Sequence, residues 1–480
     1  MILKDLFPGY SGQGADEAVT GSTADSRQVQ PGFVFAAMQG VVTDGRKFIS
    51  KAVEAGAGAV LGEDLPDIAG AARINVDNAR LALAEASANF YPRQPDTIVA
   101  ITGTNGKSST VDFLRQIWAS AGLSAASMGT LGAIGPKGSI DLGHTTPDPV
   151  AIHATLQTLA EDGVTHAAME ASSHGLAQYR LDAVRLSAVA FTNLTQDHLD
   201  YHNTMDEYRA AKLRLFSDLA SRGGPAVVNA DSDQRLFFEA AAQDAGLETV
   251  SVGWRGADLK IEELMPKATG QRLFLNWRGE KAAIDLPLIG EFQALNALTA
   301  AGLALAGGLG LQDVATGMSQ LKPVKGRLEY VGETGAGAGV FVDYAHTPAG
   351  LDVLIRAARP HTAGQLVVVF GCGGDRDRGK RPLMGEVAAK HADKVIVTDD
   401  NPRSEDPAAI RQDVLAGVPE GIEIGDRGTA IAQAIAELQK GDTLLIAGKG
   451  HETGQIIGDS VIPFSDQETA RTALGGGADV

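Results

Sequence analysis

Short runs rich in β-branched and other apolar residues recur along the chain at 97–102 (TIVAIT), 186–192, 226–229, 366–370, 394–398 and 443–447. Each ends in glycine or an acidic cluster and leads into an Ala-rich stretch. That alternation predicts parallel strands joined by crossover helices, an α/β architecture. A helix is expected over 109–121, directly after the first of these runs. A second, "YRAAKLRLF" at 208–216, is amphipathic and should bury Tyr208, Leu215 and Phe216. The apolar stretch 297–311 is mostly Ala and Gly. It is too short to cross a bilayer and reads as a packed internal helix.

Two composition shifts interrupt this rhythm. "NFYPRQPDT" (89–97) places two prolines before the strand at 97, and "LKPVKGRLEYVGETGAGAG" (321–339) is rich in Pro and Gly. A chain of 480 residues exceeds one ordinary core. The expected division is three domains, 1–95, 96–325 and 326–480.

A formal charge of −18 argues against nucleic acid or an anionic membrane surface as partner, so an anionic substrate needs a local basic site. The single cysteine, Cys372, cannot form an internal disulfide and suits a reducing cytoplasm. Its simplest role is a small strand-end residue. The N-terminus reaches proline too soon for a signal-peptide core. The expectation is a cytoplasmic monomer without membrane insertion.

The first chemistry lies in "ITGTNGKSST", 101–110. A phosphate loop needs converging backbone N–H groups at a helix N-terminus, glycines for close approach, and a lysine. Gly103, Thr104, Asn105, Gly106, Lys107, Ser108 and Ser109 supply these between a strand and a helix. However, Gly103 stands three residues before Gly106, where the common spacing has four intervening residues. Taken alone, the loop is either an unusual nucleotide site or a glycine-rich structural turn.

T-G-T-N-G-K-[ST]-[ST] resembles the loop of the Mur ligases and of folylpolyglutamate synthases, which join an amine to a carboxylate using ATP. Further pieces of that pattern follow in order: "HTTPDP", "MEASSHGL", "FTNLTQDHLDYH", "YRAAKLRLF", "GEFQALNALTA", "GRLE", "DYAHTP", "GCGGDRDRGKRP", "DDNPR" and "GKGHE". They span almost the whole chain, and the likeness is greatest to the tripeptide-synthetase branch of the Mur ligases. Two departures stand out: Gln293 where asparagine is common, and no histidine in "GVVTDG".

The resemblance implies a small N-terminal α/β UDP-binding domain, a central phosphate-loop ATPase-like domain with a parallel sheet, and a C-terminal Rossmann-like domain. It further implies Mg²⁺ as cofactor and ATP as substrate. Lys107 would neutralise phosphate charge, while Ser108 and Glu170 would hold the first metal and His198 a second. Lys212 would be carbamylated (N6-carboxylysine) and support that second metal, although a solvated helix lysine is the commoner situation. The pair His198/His202 invites a zinc reading, but it lacks the accompanying glutamate or a cysteine cluster; His202 reads as structural. Asn296, Arg327 and Asp343 match nucleotide-contacting positions, and Arg327 suggests that movement of the third domain completes the ATP site.

For the other substrates, Ser26 and Arg27 match the uridine-diphosphate segment, the bland alternative being a polar turn. Thr145, Thr146, Ser172, Gln178 and Arg180 match positions holding a muramoyl dipeptide. Arg376, Asp400, Asn401, Arg403, Gly448 and Glu452 lie at three expected strand ends of the third domain, a mixture suited to an amino acid. The activity so implied adds meso-diaminopimelate to UDP-N-acetylmuramoyl-L-alanyl-D-glutamate. An L-lysine-adding ligase, a folylpolyglutamate synthase-like ligase and a non-catalytic nucleotide-binding scaffold are the alternatives.

Overall fold

The computed structural model describes residues 1–40, 43–197 and 199–475. The chain forms two compact units, Met1–Lys260 with Leu298–Val314, and Ile261–Ala297 with Ala315–Val480.

In the first unit, four parallel strands, Gly21–Thr23, Phe33–Ala36, Ala59–Gly62 and Ala72–Asn75, lie side by side in chain order. The helix Ala79–Phe90 covers them, and its Leu83 and Ala86 share a core with Leu3, Leu6, Val34, Leu61 and Ile74. Gln94 ties the following segment down, accepting the Arg185 backbone N–H at 3.1 Å and reaching His153 at 3.4 Å.

The second sheet of this unit runs Glu248–Gly253, Pro225–Asn229, Ala188–Phe191, Thr97–Thr102, His166–Glu170, Ala125–Gly129, all parallel. Gly132–Gly135 and Gly138–Ile140 add an antiparallel edge. Its core gathers Ile98, Ala100, Ile152, Leu156, Val189 and Phe191, with Phe191 stacked on Phe238 at 3.6 Å. Strands buried on both faces explain the unbroken apolar runs in the sequence. The helix expected from 109 begins at Lys107, because Gly106 takes the left-handed N-cap position. The amphipathic helix is Met205–Arg214, continued by a π-helical turn Leu215–Leu219, and Tyr208, Leu215 and Phe216 are all buried.

The second unit holds an antiparallel hairpin, Gly270–Trp277 with Glu280–Leu286, and a six-stranded sheet. The sheet order is Glu329–Glu333, Gly339–Asp343, Thr443–Ala447, Leu366–Phe370, Lys394–Val397, Ile422–Glu423, with only the first strand antiparallel. Helices Pro348–Ala358, Lys380–His391 and Pro407–Leu415 contribute Leu351, Leu354, Met384 and Ile410 to one core. Arg427–Glu437 and Asp466–Ala473 contribute Ile431, Ile435 and Ala470 to another. Cys372 is buried with Sγ 3.6 Å from Met384 Sδ, and burial pushes its thiol up to about 12.

The stretch 297–311 is not one helix. Glu291–Ala306 starts earlier, and Gly308, with φ +99°, breaks the chain before Leu311–Ser319. Among the described residues, no helix is long and apolar enough to cross a membrane.

Candidate active site

The phosphate loop leaves the C-terminal end of the buried strand Thr97–Thr102, between Ala188–Phe191 and His166–Glu170. At Gly103, with φ +153°, a Cβ would fall on Thr192 Oγ1, so no larger residue fits. The loop is braced from "FTNLT". Thr104 N donates to Asn193 O at 2.8 Å, Asn105 N to Asn193 Oδ1 at 3.0 Å, and Thr192 Oγ1 to Asn105 O at 2.6 Å. This external bracing accounts for a stable loop on shortened spacing. Lys107 Nζ lies over it, donating to the carbonyls of Gly103 and Thr104 at 2.9 Å each.

Ser108 and Glu170 come together. Ser108 Oγ donates to Glu170 Oε1 at 2.8 Å, and Thr130 N donates to the same oxygen at 2.8 Å. Glu170 is buried at the end of its strand, where a carboxylate without donors would be costly. Gly129 makes the space, since a Cβ there would stand inside the carboxylate. Sequence reasoning missed Gly129 and Thr130; the signal was a glycine ending the strand Ala125–Gly129 with a hydroxyl residue directly after it.

Lys212 is not a solvated lysine. It is 1% exposed, its Nζ donates to Gly103 O at 2.8 Å, and it lies 4.6 Å from the Tyr208 ring centroid. Burial first, then repulsion from Lys107, hold its pKa well below the ordinary lysine value against the pull of Asp197. Tyr208 OH is 3.1 Å from Thr104 Oγ1, so one helix touches the loop twice. His202 is buried nearby, its ring 5.3 Å from that of Tyr208. His198 lies outside the described residues.

Behind Glu170 runs a polar network. Thr146 Oγ1 donates to Glu170 O at 2.9 Å and accepts Ser172 N at 3.1 Å, and Thr145 Oγ1 meets Thr130 Oγ1 at 2.9 Å. Ser172 caps the helix Ser173–Ala177. Arg180 bridges Thr146 O at 2.7 Å and Gln178 Oε1 at 2.8 Å, and burial lowers its pKa. Ser26 and Arg27 stand apart in the turn after Gly21–Thr23. Arg27 folds back on Asp25, at 2.7 Å from Oδ2, and that contact holds the Asp25 carboxyl down to about 2.

In the second unit, Asn296 Nδ2 donates to Gln293 Oε1 at 3.1 Å, and Gln293 Nε2 to Arg327 O at 3.0 Å. The glutamine at 293 thus links two of the expected nucleotide positions. The Arg327 guanidinium lies 4.9 Å above the Tyr344 ring. Asp343 accepts the N–H groups of Leu328 and Ala345 at 2.6 and 2.7 Å, and its burial raises its pKa.

The loops 371–381, 399–405 and 448–452 leave three adjacent parallel strands at their C-terminal ends. Arg403, with φ +52°, donates to Gly374 O at 2.9 Å. Glu405, two residues on, is held by Arg381 and Arg378 at 2.8 Å each. Arg376 is exposed. Asp400 is buried with its carboxylate on the Asn401 N–H at 2.7 Å, and a Cβ at Gly448 would meet it. Asn401 and Glu452 join through Nδ2 and Oε2 at 2.9 Å, and both meet Lys449, a residue the sequence reading passed over.

The oxygen pair Ser108 and Glu170, beside a lysine at a helix start, fits Mg²⁺, which takes one or two protein oxygens and completes its shell with phosphate and water. A phosphate loop opening a helix from a central parallel strand, with an acid at the next strand's end, defines a phosphate-loop nucleotide-binding protein.

The chain belongs to the Mur ligase family. Residues 18–91 match its model described as "Mur ligase family, catalytic domain", 101–304 the "Mur ligase middle domain", and 326–450 the "Mur ligase, glutamate ligase domain". A Bradyrhizobium diazoefficiens protein named UDP-N-acetylmuramoyl-L-alanyl-D-glutamate–2,6-diaminopimelate ligase is 52% identical over 460 residues, 95% of each chain. One of the same name from Mesorhizobium japonicum is 50% identical over 479 residues, 99% of each. A solved structure of a ligase so named superposes with TM-score 0.77 at 32% identity over 99% of each chain.

Proposed function

We propose that this chain is the ATP-dependent ligase that adds meso-2,6-diaminopimelate to UDP-N-acetylmuramoyl-L-alanyl-D-glutamate, forming the UDP-tripeptide of peptidoglycan biosynthesis in the cytoplasm. The observation that carries it is the assembly of Lys107, Ser108 and Glu170 at the C-terminal ends of two adjacent parallel strands, in a chain half identical over its length to proteins of that name.

In this reading the D-glutamyl carboxylate attacks the γ-phosphorus of ATP, releasing ADP and leaving an acyl phosphate. The diaminopimelate amine attacks the acyl carbon, and phosphate leaves from the tetrahedral intermediate. No protein nucleophile is required, so the chain's work is alignment, charge neutralisation and exclusion of water. Lys107 turns from its own loop carbonyls to the β/γ-phosphates. Ser108 and Glu170 hold Mg²⁺, which when bound offsets phosphate charge. Arg180 and its network hold the dipeptide, Ser26 and Arg27 the uridine diphosphate, and Asn296, Arg327 and Asp343 the nucleotide. Domains 1–95, 96–325 and 326–480 divide these tasks, in a chain that works as a monomer.

Lys212 acts as its carbamate. A buried amine, desolvated and beside a second lysine, is poised to lose its proton and add CO₂, which converts a cation into an anion able to support a metal with His198. Arg403 selects the acceptor: diaminopimelate carries a distal carboxylate that lysine lacks, and a guanidinium takes it with two parallel hydrogen bonds.

The test is ADP release with each acceptor. Release should require the UDP-dipeptide and meso-diaminopimelate together, with L-lysine a poor substitute. Equal efficiency with lysine would remove the acceptor assignment, and release independent of either co-substrate would remove the ligase reading.

A further inference from the structure

Lys449 is completely buried just beyond the strand Thr443–Ala447, in a place where the apolar core needs no cation. A desolvated ammonium is costly unless charged and hydrogen-bonding partners meet it. Lys449 has both, with Nζ 2.9 Å from Glu452 Oε2 and 3.0 Å from Asn401 Oδ1.

This contact fixes the Asn401 amide. Its Oδ1 also accepts the Ile456 N–H at 3.0 Å, so Nδ2 is left to donate to Glu452 Oε2 at 2.9 Å. A flipped amide would set its N–H₂ group against two donors. Glu452 Oε2 therefore takes two donors, whereas no described residue donates to Oε1. The side chain of Glu452 is 34% exposed, which leaves that second oxygen open to a ligand. Burial raises the carboxyl's pKa, but the bonds from Asn401 and Lys449 outweigh it and keep the group ionised.

We propose that Lys449 is the positioning residue of the amino-acid site. Its ammonium locks the Asn401 amide and holds Glu452 so that Oε1 meets the distal ammonium of diaminopimelate, beside the carboxylate assigned to Arg403, and not the amine that reacts. Asn401 then positions Glu452 rather than spending its side chain on substrate. The hairpin Gly454–Ile457 with Ser460–Pro463 belongs to the same device, since Ile456 also accepts the Arg403 N–H at 3.0 Å and Gln455 Nε2 donates to Asp400 O at 2.6 Å.

The inference rests on reading these loops as the diaminopimelate site, which diaminopimelate-dependent ADP release by the unaltered enzyme tests separately. Given that activity, Lys449→Met should raise KM for diaminopimelate about tenfold, the loss of one charged hydrogen bond. The values for kcat and for KM of ATP should change much less. Glu452→Gln should do the same, and the double variant should be no worse than Glu452→Gln alone, because both act through one carboxylate. An unchanged diaminopimelate KM in Lys449→Met, an equal rise for ATP, or additive effects would overturn the proposal. Should Lys449→Met not fold, the double variant, which leaves no charge of the pair unmatched, decides. Folding with the KM of Glu452→Gln supports the positioning role; failure to fold assigns Lys449 to the core alone.

Discussion

Glu170 occupies an almost dry position with its carboxylate met by Ser108 and Thr130, and the missing side chain of Gly129 is what lets it lie there. Gly129→Ala should displace that carboxylate and lower ligation about a hundredfold, the scale of an ångström of misplacement at a reacting centre. Circular dichroism should be unchanged; near-normal turnover would show the carboxylate is not needed where it stands. Lys212→Ala should lose most activity and regain part of it with added short carboxylates. Intact-protein mass should show one CO₂ on the wild type under bicarbonate and none on the variant. Arg403→Ala should weaken diaminopimelate use by about tenfold or more, for one charged hydrogen bond of roughly 1.5–3 kcal/mol. The KM for ATP should hardly move.

At the scale of elements, the helix Pro149–Glu161 carries His153, which has no exposed surface. Asp182 O lies 3.3 Å from Nε2 and the Gln94 amide 3.4 Å from Nδ1, an arrangement that suits the neutral ring with its proton on Nε2. Burial depresses its pKa to about 4 from an ordinary 6.5. A depressed value in the folded state means the neutral form is favoured there, so this contribution is complete above pH 6.5. It is lost progressively as pH falls toward 4. The unfolding midpoint of the wild type should therefore drop over that window more steeply than that of His153→Gln; parallel curves would assign the slope to carboxylates alone.

Helices and strands of this kind were legible where local pattern decided them. Thr97–Thr102, Leu366–Phe370 and Thr443–Ala447 end where their apolar runs end. The break in 297–311 was misread because Ala and Gly look continuous in hydropathy, although Gly308 takes a conformation that a helix cannot continue. The phosphate loop and the pairing of Ser108 with Glu170 were legible from motif and context. Gly129, Thr130, Lys449 and Gln293 were not, because each acts across a strand or loop 34 to 48 residues away in sequence, or by having no side chain at all.

For the whole molecule, two compact units predict unfolding in two steps rather than one. The phosphate loop lies in the unit Met1–Lys260 with Leu298–Val314. On the proposed reading, a non-hydrolysable ATP analogue should raise the calorimetric transition of the unit that carries the phosphate loop by mass action, and Lys107→Ala should remove that rise. No shift of that transition in the wild type would remove the nucleotide assignment of the loop. The chain's solitary thiol gives a means of following such behaviour. Cys372 is sealed against Met384 and held almost wholly protonated, so maleimides and disulfide reagents have no native target. A cysteine introduced at any exposed position will then be the only one to take a dye. Fluorophores or spin labels can be placed on each unit without first stripping the natural residue from the sequence.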